Sequence, residues 1–147
     1  MCRNATHYIH AFLCICLTVL TSDSCAQDQS QKEVEILNAD YLRFQELNGK
    51  KITSLVGDVR LKQDDVYMWC DSAHLDKETN SVDAWGSVRI TQDTVTATSN
   101  TLRYEGSKKF ATLRGNARII DPRMVLTTEE LFYDVKGKTA YYLNKGR

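Results

Sequence analysis

One pattern occurs three times along the chain at a single spacing, and it limits what the chain can fold into more than any other feature. Gly57-Asp-Val-Arg-Leu61, Gly86-Ser-Val-Arg-Ile90 and Gly115-Asn-Ala-Arg-Ile119 stand 29 residues apart. The same step relates Cys70, Ser99 and Thr128, then Ala73, Leu102 and Leu131, then Leu75, Tyr104 and Tyr133. A fixed period of this size marks a repeat architecture, in which one unit cannot bury its apolar face alone and neighbours must stack.

Each unit reads as two strands. Thr53, Leu55, Gly57, Val59 and Leu61 share one parity, as do Val82, Ala84, Gly86, Val88 and Ile90, and Ala111, Leu113, Gly115, Ala117 and Ile119. This period-2 pattern predicts strands with a glycine at the centre of the apolar face and Arg60, Arg89 and Arg118 on the other face. Polar turns follow at 62–65, 91–94 and 120–123. The only proline, Pro122, lies in the last of them, where its missing N–H does no harm. The returning strands begin in phase (Val66, Met68, Cys70) and then change parity (Ala73, Leu75). A slip of one residue flips side chains to the wrong face, so a bulge or corner is expected near 71, 100 and 129. Turns at 76–80, 105–109 and 134–138 complete the units. Short connections favour antiparallel hairpins, and matching corners let the stack curl around an apolar interior. Val34 to Phe44 reads as a degenerate first unit, and Asn48-Gly49 as the turn that ends it.

The first 26 residues read as a signal peptide rather than as part of the fold. Arg3 precedes a short apolar run, Ala11 to Leu20, and Ser24-Cys25-Ala26 offers a small-x-small cleavage site. Lipoprotein processing at Cys25 ranks below simple cleavage, because no leucine stands at the expected place. Residues 27–33 form a polar leader, and 34–147 the domain. Cleavage removes Arg3 and Asp23 from the 19 basic and 19 acidic residues, leaving 18 of each. Such a balance gives no footprint for nucleic acid. Of the five cysteines only Cys70 lies beyond the signal, so the mature fold rests on packing and not on a disulfide.

The repeated G-[DSN]-[VA]-R-[LI] segment, a turn, and a strand ending in [CST]-[DNE]-x-[AL]-x-[LY]-[DE] resemble the OstA-like, or LptA-like, periplasmic lipopolysaccharide-transport domains. Gly57–Asp76, Gly86–Glu105 and Gly115–Asp134 carry the resemblance, which covers roughly Val34 to Arg147. It implies an all-β fold: a twisted, slightly open β-jelly roll, here built from stacked antiparallel hairpin repeats of 29 residues. It also implies a non-enzymatic role in the periplasm of a Gram-negative envelope, with lipid A acyl chains of lipopolysaccharide shielded inside. Its implied partners are lipopolysaccharide and, end to end through terminal strands, itself or related β-jelly-roll domains.

Catalytic chemistry finds little to work with. His74 is the single histidine beyond the signal, and no nucleophile elbow stands near it. Cys70 and His74 do not make a metal site on a strand, and Asp71, Asn100 and Glu129 read as corner residues that bond nearby backbone. No cofactor or metal is expected. A carbohydrate-active enzyme would require paired carboxylates across a groove, with Asp71 and Asp83 as the residues to test. The inward column of Val59, Leu61, Met68, Val88, Ile90, Leu113, Ile119 and Leu126 has two readings. It is a filled core of a structural β-solenoid scaffold, or a lipid-binding interior. Gly57, Gly86 and Gly115 favour the second if they leave the middle of the interior without side chains.

Overall fold

The computed structural model describes residues 32–143. Over that span the chain is a single antiparallel sheet of nine strands: β1 (Glu35–Asn38), β2 (Tyr41–Leu47), β3 (Lys50–Gln63), β4 (Val66–Asp76), β5 (Ser81–Gln92), β6 (Val95–Glu105), β7 (Phe110–Asp121), β8 (Met124–Asp134) and β9 (Thr139–Tyr141). From β3 onward each strand pairs with the next in sequence, and the sheet stays open, with β9 bonded only to β8. β1 and β2 both pair with β3, β2 along Lys50–Val56 and β1 along Arg60–Lys62. They are two halves of one bent edge strand. The Asp40 N–H, at the bend between them, donates to the Gly57 carbonyl at 2.9 Å.

The alternating pattern becomes two-sided burial. Leu55, Val59 and Leu61 on β3, Val66, Met68 and Cys70 on β4, and Val88 and Ile90 on β5 lie inside, while Arg60 and Arg89 face out. Past Cys70 the buried side chains are Ala73 and Leu75, at the opposite parity. The register breaks at these points: Val56 pairs with Ser72 but Val59 with Cys70, so Gly57 and Asp58 together face Asp71 alone. The same break recurs at Gly86-Ser87 and at Gly115-Asn116, opposite Asn100 and Glu129. An extra residue in one strand bends that strand and its neighbours.

How far the sheet bends follows from contacts between hairpin tips. Asp64 sits in the β3–β4 turn and Lys109 in the β6–β7 turn, at opposite ends of the strands. A straight strand the length of β4 would hold such tips about 35 Å apart. Instead the Lys109 ammonium lies 2.6 Å from the Asp64 carboxylate. The sheet is therefore folded in half along the glycine line, with the two halves sharing one apolar interior. That interior holds Tyr104, Leu113, Leu131 and Tyr133 from the later strands against Leu55, Val59, Leu61 and Met68 from the earlier ones. The residues of this core are mostly under 3 % exposed.

Candidate functional site

The interior is bounded on one side by the corner and on the other by the hairpin tips. At the corner, pairs of residues adopt left-handed backbone: Gly57 and Asp58 (φ 82° and 41°), Gly86 and Ser87 (78° and 49°), Gly115 and Asn116 (75° and 49°). Glycine is needed there twice over. At Gly86 the backbone angle strains any residue with a Cβ, and an added Cβ would lie 2.4 Å from Asp71 Oδ2 and 2.8 Å from Asp71 Cβ. Asp40 crowds Gly57 in the same way, and Asn100 crowds Gly115. This corrects the expectation that the three glycines empty the middle of the interior. They are half-buried at the fold line, and the space beside each is taken by the corner side chain of the preceding strand. Alternation misled because two consecutive left-handed residues break the two-residue period on which it depends.

Opposite the corner, the tips are held together by side chains. The buried Tyr104 hydroxyl donates to Gln63 Oε1, and one unit later Tyr133 donates to Gln92 Oε1 at 2.8 Å. Gln63 also donates to the Gly106 carbonyl at 3.2 Å. Lys109 pairs with Asp64, and Lys138 pairs with Asp93. At the near end the Val34 N–H donates to Asn80 Oδ1 at 2.9 Å. These contacts form a seam, and a hollow of about 190 Å³ opens beside it, lined by Gln63, Asp64, Gln92, Tyr104 and Lys109 among others. Burial, then the Asp65 and Asp93 charges, push the Tyr133 phenol up to about 12. Burial, then Asp64 and Asp65, push the Tyr104 phenol up as well. Both hydroxyls therefore remain protonated and able to donate.

The structure places Val59, Leu61, Met68, Val88, Ile90, Leu113 and Ile119 together on the inner surface, each no more than 2 % exposed. Leu126 packs against the same cluster from a partly exposed position. Val88 also borders an open groove of about 570 Å³ at the corner. Ile119 borders one of about 290 Å³ at the C-terminal end. Cys70 and His74 part company: the thiol points inward, pushed up to about 11 by burial and then by Asp71, while His74 stands edge-on to Trp85 on the outer surface at 4.8 Å. The seam residues were missed in the sequence. Their signal was there, since Gln63 and Gln92, Asp64 and Asp93, and Lys109 and Lys138 each recur at the common step.

A family model for OstA-like protein matches residues 31–147. The chain belongs to the OstA-like family. No curated protein sequence matches this OstA-like chain. Among solved structures it is similar to LptH of Pseudomonas aeruginosa, described as the LptA-homologous periplasmic component of the lipopolysaccharide transport device. The TM-score is 0.67 at 17 % identity, over 76 % of this chain and 82 % of that one. At that identity the likeness establishes the fold of this OstA-like chain: an open, all-β antiparallel sheet.

Proposed function

We propose that this OstA-like chain is a non-enzymatic periplasmic module of lipopolysaccharide transport, which shields acyl chains inside a slightly open β-jelly roll of stacked 29-residue hairpins. The observation that carries this reading is the unequal closure of the interior. Its corner is continuous backbone, whereas every seam contact described above has a side chain as at least one partner and joins residues 41 to 46 apart in sequence. A packed apolar column behind such a seam can exchange side-chain contacts for acyl-chain contacts, at about 0.8 kcal/mol per buried methylene. Family membership and the likeness to a periplasmic transport component support the same reading. Export through a signal peptide over residues 1–26 belongs to it too, although those residues lie outside the described part of the chain.

Photoreactive residues at Val88 or Ile119 should crosslink to lipopolysaccharide in cells. Crosslinks confined to outward positions such as Arg89 would overturn the proposal. One observation favours a second reading, a scaffold with a solid core: seven members of the column are no more than 2 % exposed. Mass spectrometry of lipid co-purified with the chain separates the two.

Among the described residues both ends of the sheet are open edges, β1 and β2 at one end and β9 at the other. Unpaired edges of this kind are templates for strand addition. End-to-end association with itself or with a related domain completes the proposed function.

A further inference from the structure

The two outer faces of the folded sheet treat their cations differently. On the half between corner and seam formed by the later part of β3 and its equivalents, one cross-strand row runs Arg60, Trp69, Arg89, Thr98, Arg118, Thr127. The guanidinium of Arg89 lies over the Trp69 ring, 4.3 Å from its centroid. Neither Arg89 nor Arg118 has a carboxylate in ion-pair contact among the described residues, and both are exposed. Arg60 is held by Asp58 at 2.7 Å. On the opposite half Arg103 is paired with Asp83 at 2.7 Å and Arg114 with Glu130 at 2.6 Å, while Arg43 on the edge strand β2 has no ion pair among the described residues. Across the central strands, one half therefore presents Arg89 and Arg118, two arginines in one row without a carboxylate partner, with hydroxyls beside them, while Arg103 and Arg114 on the other half are each paired.

The spacing narrows the ligand. Arg60, Arg89 and Arg118 stand on alternate strands, so they recur about every 10 Å along the stack. Threonine hydroxyls and an indole lie between them. A single compact anion would use one of these arginines. An extended polar chain with anionic groups along it would use Arg89 and Arg118 together, and a planar guanidinium fits phosphate oxygens in pairs. The row also lies close to the seam. Lys62 and Tyr67 form the next pair towards the tips, with the Lys62 ammonium 5.1 Å from the Tyr67 ring centroid.

We infer that this row, with Trp69, Arg89 and Arg118 at its centre, binds the phosphorylated saccharide head of a glycolipid whose acyl chains occupy the interior. The inference rests on the lipid reading above. Acyl chains inside the fold require their charged head to remain in water, and a head leaving through the seam meets Lys62 first and then the arginine row. Binding is electrostatic and hydrogen-bonded, so it weakens as salt rises.

The test uses the full chain, with Trp85→Phe so that Trp69 reports alone, and two probes. One is the deacylated, phosphorylated saccharide prepared from lipopolysaccharide; the other is the same saccharide after removal of its phosphates. Arg89→Gln with Arg118→Gln should weaken binding of the phosphorylated probe about tenfold and leave the dephosphorylated probe unchanged. Arg103→Gln, on the opposite half and paired with Asp83, should change neither. Matching thermal melts show that the variants fold. Equal binding by the double variant and the parent overturns the inference, as does equal binding of a DNA oligonucleotide, which would report charge alone. Photocrosslinking from Val88 keeps the two readings apart. Crosslinks to lipid with no effect of the arginine variants leave the interior standing and remove the outer row. Arginine-dependent binding of the phosphorylated probe without crosslinks leaves the row standing and removes the interior.

Discussion

Gly86 shows what a single residue settles in this chain. Its φ of 78° and the Asp71 side chain against it exclude a Cβ on two independent grounds. Gly86→Ala should cost about 1–3 kcal/mol, read as a lower midpoint in urea, and Asp71→Gly in the same chain should recover only the part due to the contact. Full recovery would mean that the left-handed angle itself costs nothing here. A second residue-scale prediction concerns Asp76, at the tip of β4. Burial raises its carboxyl, but the Thr79 N–H and hydroxyl, the Glu78 N–H and the Lys50 charge outweigh burial and hold it below its ordinary 3.8. A carboxyl lowered by folding adds stability that is present above its unfolded value and is lost as pH falls through the folded one. Stability should therefore decline below about pH 4, and Asp76→Asn should flatten that decline in acid titrations followed by circular dichroism.

At the scale of elements, the hairpin tips carry two phenols that respond to alkali. Tyr133 is raised from 10.0 to about 12 and Tyr104 is also raised. A raised acid keeps its proton in the fold and loses it more readily once unfolded. The stability it contributes is full below pH 10 and disappears as pH rises through the folded value. Tyrosinate absorbance should appear together with loss of the seam between about pH 10 and 12, and Tyr133→Phe should move that transition. At neutral pH the same change leaves Gln92 Oε1 without its partner, at a cost of about 1–3 kcal/mol. Strand order, parity and the register breaks near 71, 100 and 129 were legible in the sequence, because local alternation writes them directly. The seam was not. Tyr104 and Tyr133 looked like two more inward apolar residues, since alternation gives the face a side chain points to and not the distant tip that its hydroxyl reaches. Nor could parity show that Asp40 stands in for Asp71, because its spacing to Gly57 is 17 residues where Asp71 to Gly86 is 15.

At the scale of the molecule, both sheet edges are open among the described residues, and neither edge strand carries a proline. β9 holds Tyr141, which pairs with Phe132 and stacks on its ring at 5.3 Å. At the other end Tyr41 and Phe44 are about three-quarters exposed. Joining the C-terminal edge of one copy to the N-terminal edge of the next is head-to-tail, so it grows open chains rather than closed dimers. Light scattering should show mass rising with concentration. Tyr141→Pro should hold the chain monomeric while its circular dichroism stays unchanged. A parent protein that remains monomeric at high concentration would exclude the association.

The division of labour between corner and seam also sets the order in which the fold forms. Nearly every strand pairs with its neighbour in sequence, so the ladder closes only short loops and assembles quickly. The seam joins residues 41 to 46 apart, so its loops close last. Weakening it should leave the refolding rate almost unchanged and hasten unfolding. Under the proposed function, the contacts that form last are also those an entering acyl chain would part, which would put the kinetic weak point of the fold at the doorway.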